Sequence, residues 1–413
     1  MFASRRDFLK TSLAGGSMIA LGSSVPNFLA KTAAATLPPD QPGGRDTILV
    51  VIQLTGGNDG LNTVIPYADP EYRRLRPTLQ QNRNVVRRIN NEIGLHPSLT
   101  GLSDLLEDNK LCVVQGVGYP NPTQSHFRSM DIWQTAQTSG PMNEGWVGRA
   151  LRAVPGAMSF HLANQNEAAP LALNGAPVRV PSIATLQDFQ LRVNGAGPAD
   201  TRQQRSVIEA TSNPTQSQNG LLDFVQRTSV NTYQSSQRLR EVGQNYTPAT
   251  PYPATSLGNH LRLAAQLIDA GLGARLFYVT YGNFDTHASQ GGTHANLLSQ
   301  LSLAMTSFYR DMEQKGHADR VLMMTFSEFG RRARENGSQG TDHGEAAPMF
   351  LVGGRVRSGL VGDHPSLTNL SRGNLRFHTD FRQVYAAILE NWLGVQSRPI
   401  LGAAYEPVNV IRS

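Results

Sequence analysis

The chain has 413 residues, 39% of them hydrophobic, and a formal net charge of +6. That length and composition suit one large α/β domain with an insertion. Arg5, Arg6, Lys10 and Lys31 against Asp7 place half of the net charge in the first 35 residues, which leaves little support for nucleic-acid binding. Cys112 is the only cysteine and excludes an intrachain disulfide.

The chain opens Ser4-Arg5-Arg6-Asp7-Phe8-Leu9-Lys10, continues through a mildly apolar stretch to Ala30, and reaches Ala33-Ala34-Ala35 before Thr36. This pattern reads as a twin-arginine export signal over residues 1–35 with a small-residue cleavage site. Gly15, Gly16, Gly22, Ser23, Ser24, Pro26 and Asn27 make the stretch too polar to anchor in a bilayer. The expected location is periplasmic or extracellular, with the twin-arginine translocase as a partner during export and no stable membrane span in the mature chain.

Residues 36–154 read as the first part of an α/β domain. Thr47 to Leu54 is an apolar run buried on both faces, and it stops at Thr55-Gly56-Gly57, which puts Asn58 and Asp59 just beyond a strand end. Leu99, Leu102, Leu105 and Leu106 keep helical spacing, and Leu111 to Val117 is the next strand, with Cys112 as a structural thiol. A β-α-β order of this kind favours a parallel sheet.

Residues 155–253 are rich in Ala, Pro, Asn, Gln, Ser and Thr, and read as an inserted, mostly helical cap rather than as sheet. Residues 254–413 return to the α/β pattern. Leu261, Ala264, Ala265 and Ile268 mark a helix, and Arg275 to Thr280 is a strand ending at Asp285-Thr286-His287. A long amphipathic helix follows through Leu297, Leu301, Met305, Phe308 and Met312, both methionines serving the core. Arg320 to Thr325 delivers Glu328, a polar loop carries Asp342-His343, and Pro348 to Val352 is a further strand. Phe381, Tyr385, Ile388, Leu389 and Trp392 form a closing helix face over the sheet.

Asp59, the Asp285–His287 pair, Glu328 and Asp342-His343 therefore gather acids and imidazoles at the ends of apolar runs, where α/β proteins build their sites. Oxygen and imidazole ligands without thiolate suit a divalent metal, with zinc or manganese favoured by the histidines. Asp285 and His287, two apart in an extended segment, face one side and are the best ligand pair. His294 joins them or caps the helix start. Ser125, in Gln124-Ser125-His126-Phe127, reads as a nucleophile beside a metal or as a helix cap with His126 as a packing residue. Arg128, Arg331 and Arg332 carry forks that match phosphate or sulfate oxygens, with a solvated surface position as the default reading for at least two of them.

Gln53-Leu54-Thr55-Gly56-Gly57-Asn58-Asp59-Gly60-Leu61-Asn62, Leu95-His96-Pro97, Ser125-His126-Phe127, Phe284-Asp285-Thr286-His287, Ser327-Glu328-Phe329-Gly330-Arg331 and Thr341-Asp342-His343-Gly344 together resemble the bacterial domain of unknown function fifteen-oh-one. That family looks like a remote branch of the alkaline phosphatase and sulfatase superfamily. The resemblance implies a doubly wound, mostly parallel sheet with helices on both faces and a site for one or two metal ions. It implies Asp59, Asp285, His287 and His343 as ligands and Ser125 as nucleophile. Glu328-Phe329 stands where the superfamily carries an Asp-His pair, so one ion loses an imidazole, and Asp342 is a candidate replacement carboxylate. A formylglycine cofactor is not expected, since Ser125 lacks the flanks of a sulfatase signature and the cysteine is missing.

Two functions are expected from these residues. One is an exported metal-dependent hydrolase of phosphate or sulfate esters, with Asp59, Asp285, His287, Glu328, Asp342 and His343 around the metal, Ser125 as nucleophile and Arg331 clamping the oxyanion. The other is a catalytically degenerate relative acting as an envelope binding or assembly protein, with Phe329 as its argument.

Overall fold

The computed structural model describes residues 46–154, 158–164, 167–178, 180–186, 246–271 and 273–412. The export signal and residues 187–245 of the expected cap lie outside the described residues. The chain divides into two compact units. The first comprises residues 1–40, 185–246 and 266–273, of which few are described; the second comprises 41–184, 247–265 and 274–413 and carries the sheet and the site. Among the described residues no helix is long and apolar enough to cross a membrane.

β1 (Ile48–Leu54) is a run of aliphatic and β-branched residues with Gln53 as the only polar one, and every position is buried. Such a strand needs neighbours on both edges and cover on both faces. It lies parallel to β8 (Ala274–Tyr281) on one side and to β9 (Val321–Ser327) on the other. Leu54 is opposite both Tyr281 and Ser327, so the three strands end level and release Gly56 to Asp59, Gly282 to His287 and Glu328 at one edge.

Around this trio stand β5 (Leu111–Gly118), β6 (Met158–Leu162), β7 (Ser182–Ile183), β10 (Ala347–Gly353), β11 (Gly359–Val361) and β12 (Thr379–Asp380), in the order β11-β5-β10-β9-β1-β8-β6-β7 with β12 beside β5. All pairings are parallel except those of β10, which runs antiparallel to β5 and β9. The mostly parallel doubly wound sheet expected from the sequence is therefore present. The reversal of β10 matters for the site, because it is the entry to this strand, carrying Asp342 and His343, that reaches the carboxyl edge. β2 (Val64–Ile65), β3 (Arg87–Arg88) and β4 (Gly94–Leu95) form a small separate antiparallel sheet.

The boundary expected at residue 155 needs correction. β6 pairs with β8, and β7 extends it, so Met158–Leu162 and Ser182–Ile183 belong to the central sheet rather than to a helical cap. Met-Ser-Phe-His-Leu hides this strand because Ser159 and His161 mimic an exposed alternation, yet all five residues are buried. His161 is accommodated through a hydrogen-bonding contact with Ser182 Oγ at 2.8 Å.

The closing helix Phe381–Ala387 and its π-helical continuation Ile388–Trp392 cover one face of the sheet. Their Phe381, Tyr385, Ile388, Leu389 and Trp392 share a buried cluster with Leu49, Val51, Leu322 and Met324. Trp133, from helix His126–Thr135, stacks on Phe381 with centroids 4.3 Å apart and on Phe326 at 5.5 Å. This stack ties the last turn of a site-bearing helix to the core. On the opposite face, helix Thr100–Glu107 lies against helix Gln290–Gln314, where Leu102 N–H donates to Ser302 Oγ at 3.0 Å. Met305 and Met312 are fully buried there, as their spacing predicted.

Candidate metal centre

Two glycines bring the loops of the carboxyl edge together. Gly56 and Gly57 follow β1 with φ of +110° and +79°. A Cβ on Gly56 would lie 2.4 Å from the Asp285 backbone nitrogen, and one on Gly57 would lie 2.4 Å from the Phe329 ring. Only glycine adopts this conformation freely and leaves that space. The exits of β1, β8 and β9 thus press against one another.

Three side chains meet above them. His126, Asp285 and His343 each offer a ligand atom, and the three atoms lie within 4.8 Å of one another. His343 Nε2 is 3.1 Å from Asp285 Oδ1, and His126 Nε2 is 3.5 Å from Asp285 Oδ2. His287 adds a fourth ligand atom, its Nε2 standing 3.0 Å from Asp285 Oδ1 and 2.9 Å from His343 Nε2. Ligand atoms about 2.0–2.1 Å from a tetrahedral zinc stand roughly 3.3–3.4 Å apart, close to these separations.

The second nitrogen of each ring decides what the first can do. His343 Nδ1 is 2.9 Å from the Gln124 carbonyl oxygen, which only accepts, so Nδ1 carries the proton and Nε2 presents a lone pair. His126 Nδ1 is 2.9 Å from Glu328 Oε1, an oxygen that also accepts the Gly56 N–H at 2.7 Å; again the proton sits on Nδ1. His287 Nδ1 faces Asp342 Oδ1 at 3.5 Å. A carboxylate or carbonyl behind each imidazole is the arrangement that orients histidine for a metal.

The charges agree with this reading. Burial raises the Asp285 carboxyl, but the hydrogen bond and the charge of Arg331 outweigh it and hold the pKa at about 2. Asp285 is therefore an ionised acceptor. Burial lowers the His343 pKa, partly offset by Asp285 and the Gln124 carbonyl, and so favours the neutral ring that binds metals. Two lone pairs aimed at a carboxylate repel unless a cation lies among them, and the donor set of imidazole and carboxylate fits zinc or manganese.

Several residues expected around the metal do other work. Asp59 is fully buried and meets Arg76 in a two-pronged ion pair, Nη1 to Oδ2 at 2.5 Å and Nη2 to Oδ1 at 2.9 Å, with Gln290 Nε2 also donating to Oδ2. Burial would raise its pKa, but Arg76 brings it down to about 2. Asp59 thus balances a guanidinium and is not part of the cluster. Glu328 is buried and acts through His126, and Asp342 through His287. Arg331 is also buried, with its fork spent on the protein: Nε donates to Gly57 O at 2.7 Å, Nη1 to Thr341 O at 2.7 Å, and Nη2 to Phe284 O at 3.0 Å, Asp285 Oδ1 at 2.7 Å and Gly56 O. It is a positioning cation for Asp285, with no face left for a substrate oxyanion.

Phe329, where an imidazole ligand was sought, walls the cluster with an apolar ring 4.6 Å from His343 and 4.9 Å from His126, centroid to centroid. His294 neither ligates nor caps; it is buried with Nε2 3.0 Å from Asn58 Oδ1. Arg128 turns outward to Met142 Sδ and the Thr138 carbonyl. Arg332 is exposed.

Ser125 is exposed and occupies the N-cap position of helix His126–Thr135 without making a side-chain cap bond. Its neighbours on both sides are fixed to the cluster, Gln124 by its carbonyl to His343 and His126 by its ring. Two residues were missed by sequence reasoning. His126 was read as packing, although its place directly beside Ser125 was a usable signal. Arg76 had no signal, since Leu75-Arg76-Pro77 looks like an ordinary helix exit.

The chain belongs to the family described as protein of unknown function (DUF1501), whose model matches residues 112–375. No curated protein matches it. Among solved structures it is similar to the lipoteichoic acid synthase LtaP from Listeria monocytogenes, at 9% identity and a TM-score of 0.40 over 94% of this chain and 82% of that one. A protein in the alkaline phosphatase superfamily from Vibrio parahaemolyticus matches at 8% identity and 0.35, over 92% and 77%. The C-terminal periplasmic domain of EcEptC from Escherichia coli, in complex with zinc, matches at 13% identity and 0.35, over 77% of each chain.

Proposed function

We propose that this chain is an exported, metal-dependent hydrolase of phosphate or sulfate esters. The observation that carries the reading is the pair His126 and His343, each with its Nδ1–H held by an oxygen behind it and its Nε2 turned to the ionised Asp285. A divalent ion held by these three, with His287 as a fourth donor, would supply Lewis-acid stabilisation to charge developing on an ester oxygen. Ser125, exposed beside the cluster and free of a cap bond, is the nucleophile in this reading: its oxygen bonds to phosphorus or sulfur as the bond to the alcohol oxygen breaks, the serine proton leaves with the alcohol, and water then hydrolyses the Ser125 ester to release phosphate or sulfate. Phe329 keeps one side of the site dry, which strengthens each of these interactions. Arg331 holds Asp285 in place while contributing a fixed positive charge.

The test is hydrolysis of p-nitrophenyl phosphate and p-nitrophenyl sulfate by protein loaded with zinc or manganese. Activity is expected on one ester class, with Ser125→Ala reducing kcat by roughly three orders of magnitude. A second reading, a binding or assembly protein of the cell envelope with a degenerate site, is favoured by Phe329 in a ligand's place and by the closing of Asp59 on Arg76. Metal-loaded protein inactive across both ester classes establishes that reading instead.

A further inference from the structure

Resting on the metal centre just described, we infer that the chain holds one divalent ion and that Arg76, together with Arg331, fills the place of a second cation at the carboxyl edge. Asp59, Asp285, Glu328 and Asp342 are four carboxylates delivered to this edge, enough for two ions by count alone. Their partners divide them. Both oxygens of Asp59 are taken by Arg76, and Gln290 adds a further donor to one of them. Neither Asp59 nor Arg76 has any side-chain exposure.

Arg76 is itself locked. Its Nε donates to Ala333 O at 2.8 Å and its Nη2 to Arg332 O at 2.9 Å, besides the two bonds to Asp59, so four of its N–H groups are engaged. Displacing it would strand a buried guanidinium, and an ion bound beside it would meet a positive charge at short range in a poorly screened interior. Arg331 extends the same logic. Anchored by the Gly56, Gly57, Phe284 and Thr341 carbonyls, it touches Asp285 Oδ1 from below the cluster. Only the Asp285 side remains open to solvent, and the free imidazole lone pairs converge there. Gln290 reinforces the division: Thr341 Oγ1 donates to its Oε1 at 2.6 Å, holding the amide nitrogen on Asp59.

The experiment is zinc titration of the purified chain with elemental analysis after gel filtration, paired with a crystal structure in which zinc is located by anomalous scattering. One zinc per chain is expected, bound by His126, Asp285 and His343. Asp59→Asn should keep that stoichiometry, whereas Asp285→Asn should lose it. Because Asp59→Asn strands Arg76 and can unfold the chain, the wild-type anomalous map decides independently: a zinc about 2.0–2.2 Å from an Asp59 oxygen overturns the inference. Two zinc ions per chain overturn it as well while leaving the metal-dependent reading standing. No bound zinc overturns that reading and this inference with it.

Discussion

Glu328 shows how a residue can be found in the sequence and still be misassigned. Its position one residue after β9 marked it as part of the site, and it is there. Ligation, however, depends on where the carboxylate points, and Gly56 N–H and His126 Nδ1 hold it behind the imidazole. A carboxylate in that position raises ligand basicity and fixes the tautomer. Glu328→Gln is therefore expected to weaken zinc binding by roughly 10–100-fold in a chelator-competition titration, with the fold kept because Gln still accepts the Gly56 N–H. Unchanged affinity would mean that His126 does not ligate through the Glu328 relay. Asp59 and Arg331 teach the same lesson, since a buried ion pair and a carbonyl-bound fork are invisible until the partner is known.

At the scale of elements, the site depends on strand ends that stop level and on loops that approach very closely. The apolar runs made β1, β8, β9 and β10 legible, because strands covered on both faces need continuous hydrophobic sequence. The direction of β10 was not legible, as side-chain periodicity is the same in either orientation. β6 escaped for a related reason: a buried strand carrying Ser159 and His161 imitates a half-exposed one. Gly56→Ala should cost about 1–3 kcal/mol of stability, since φ of +110° strains any Cβ and this one would press on the Asp285 nitrogen at 2.4 Å. Zinc affinity should fall with it, because the Gly56 N–H and carbonyl hold Glu328 and Arg331. Gly291→Ala, in the helix Gln290–Gln314 with open space around its Cβ, is the contrasting case and should stabilise by roughly 0.5–1 kcal/mol. Chemical denaturation of the two variants checks both signs.

For the molecule as a whole, buried histidines set a limit on the acid side. His96, His161 and His294 are buried, and burial pushes each imidazole down to about 4, with the neighbouring imidazoles of His294 and His260 opposing a second charge at His96 and His161. In the unfolded chain each returns to its ordinary value near 6.5. Between these values the unfolded state binds more protons, so stability is full above about pH 6.5 and declines as pH falls toward about 4. Urea denaturation at pH 7, 5.5 and 4.5 should show progressively lower midpoints. Replacing His161, whose Nε2 has no hydrogen-bond partner among the described residues, by Gln should flatten that dependence; an equally steep decline in the variant would remove His161 from the account.

The sequence by itself determined the α/β class, the strands that build the sheet edge, the structural role of Cys112, and the neighbourhood in which Asp285, His287 and His343 would be found. Burial leaves its mark on composition and period, and those are local properties of the chain. The tertiary structure decided the roles: which carboxylate ligates, which orients an imidazole, and which is closed by an arginine from 17 residues away. Those roles depend on partners distant in sequence, on the reversal of one strand and on the tautomer each neighbour imposes. Metal chemistry is set by where lone pairs converge in space, and residue types along a chain constrain that convergence without specifying it.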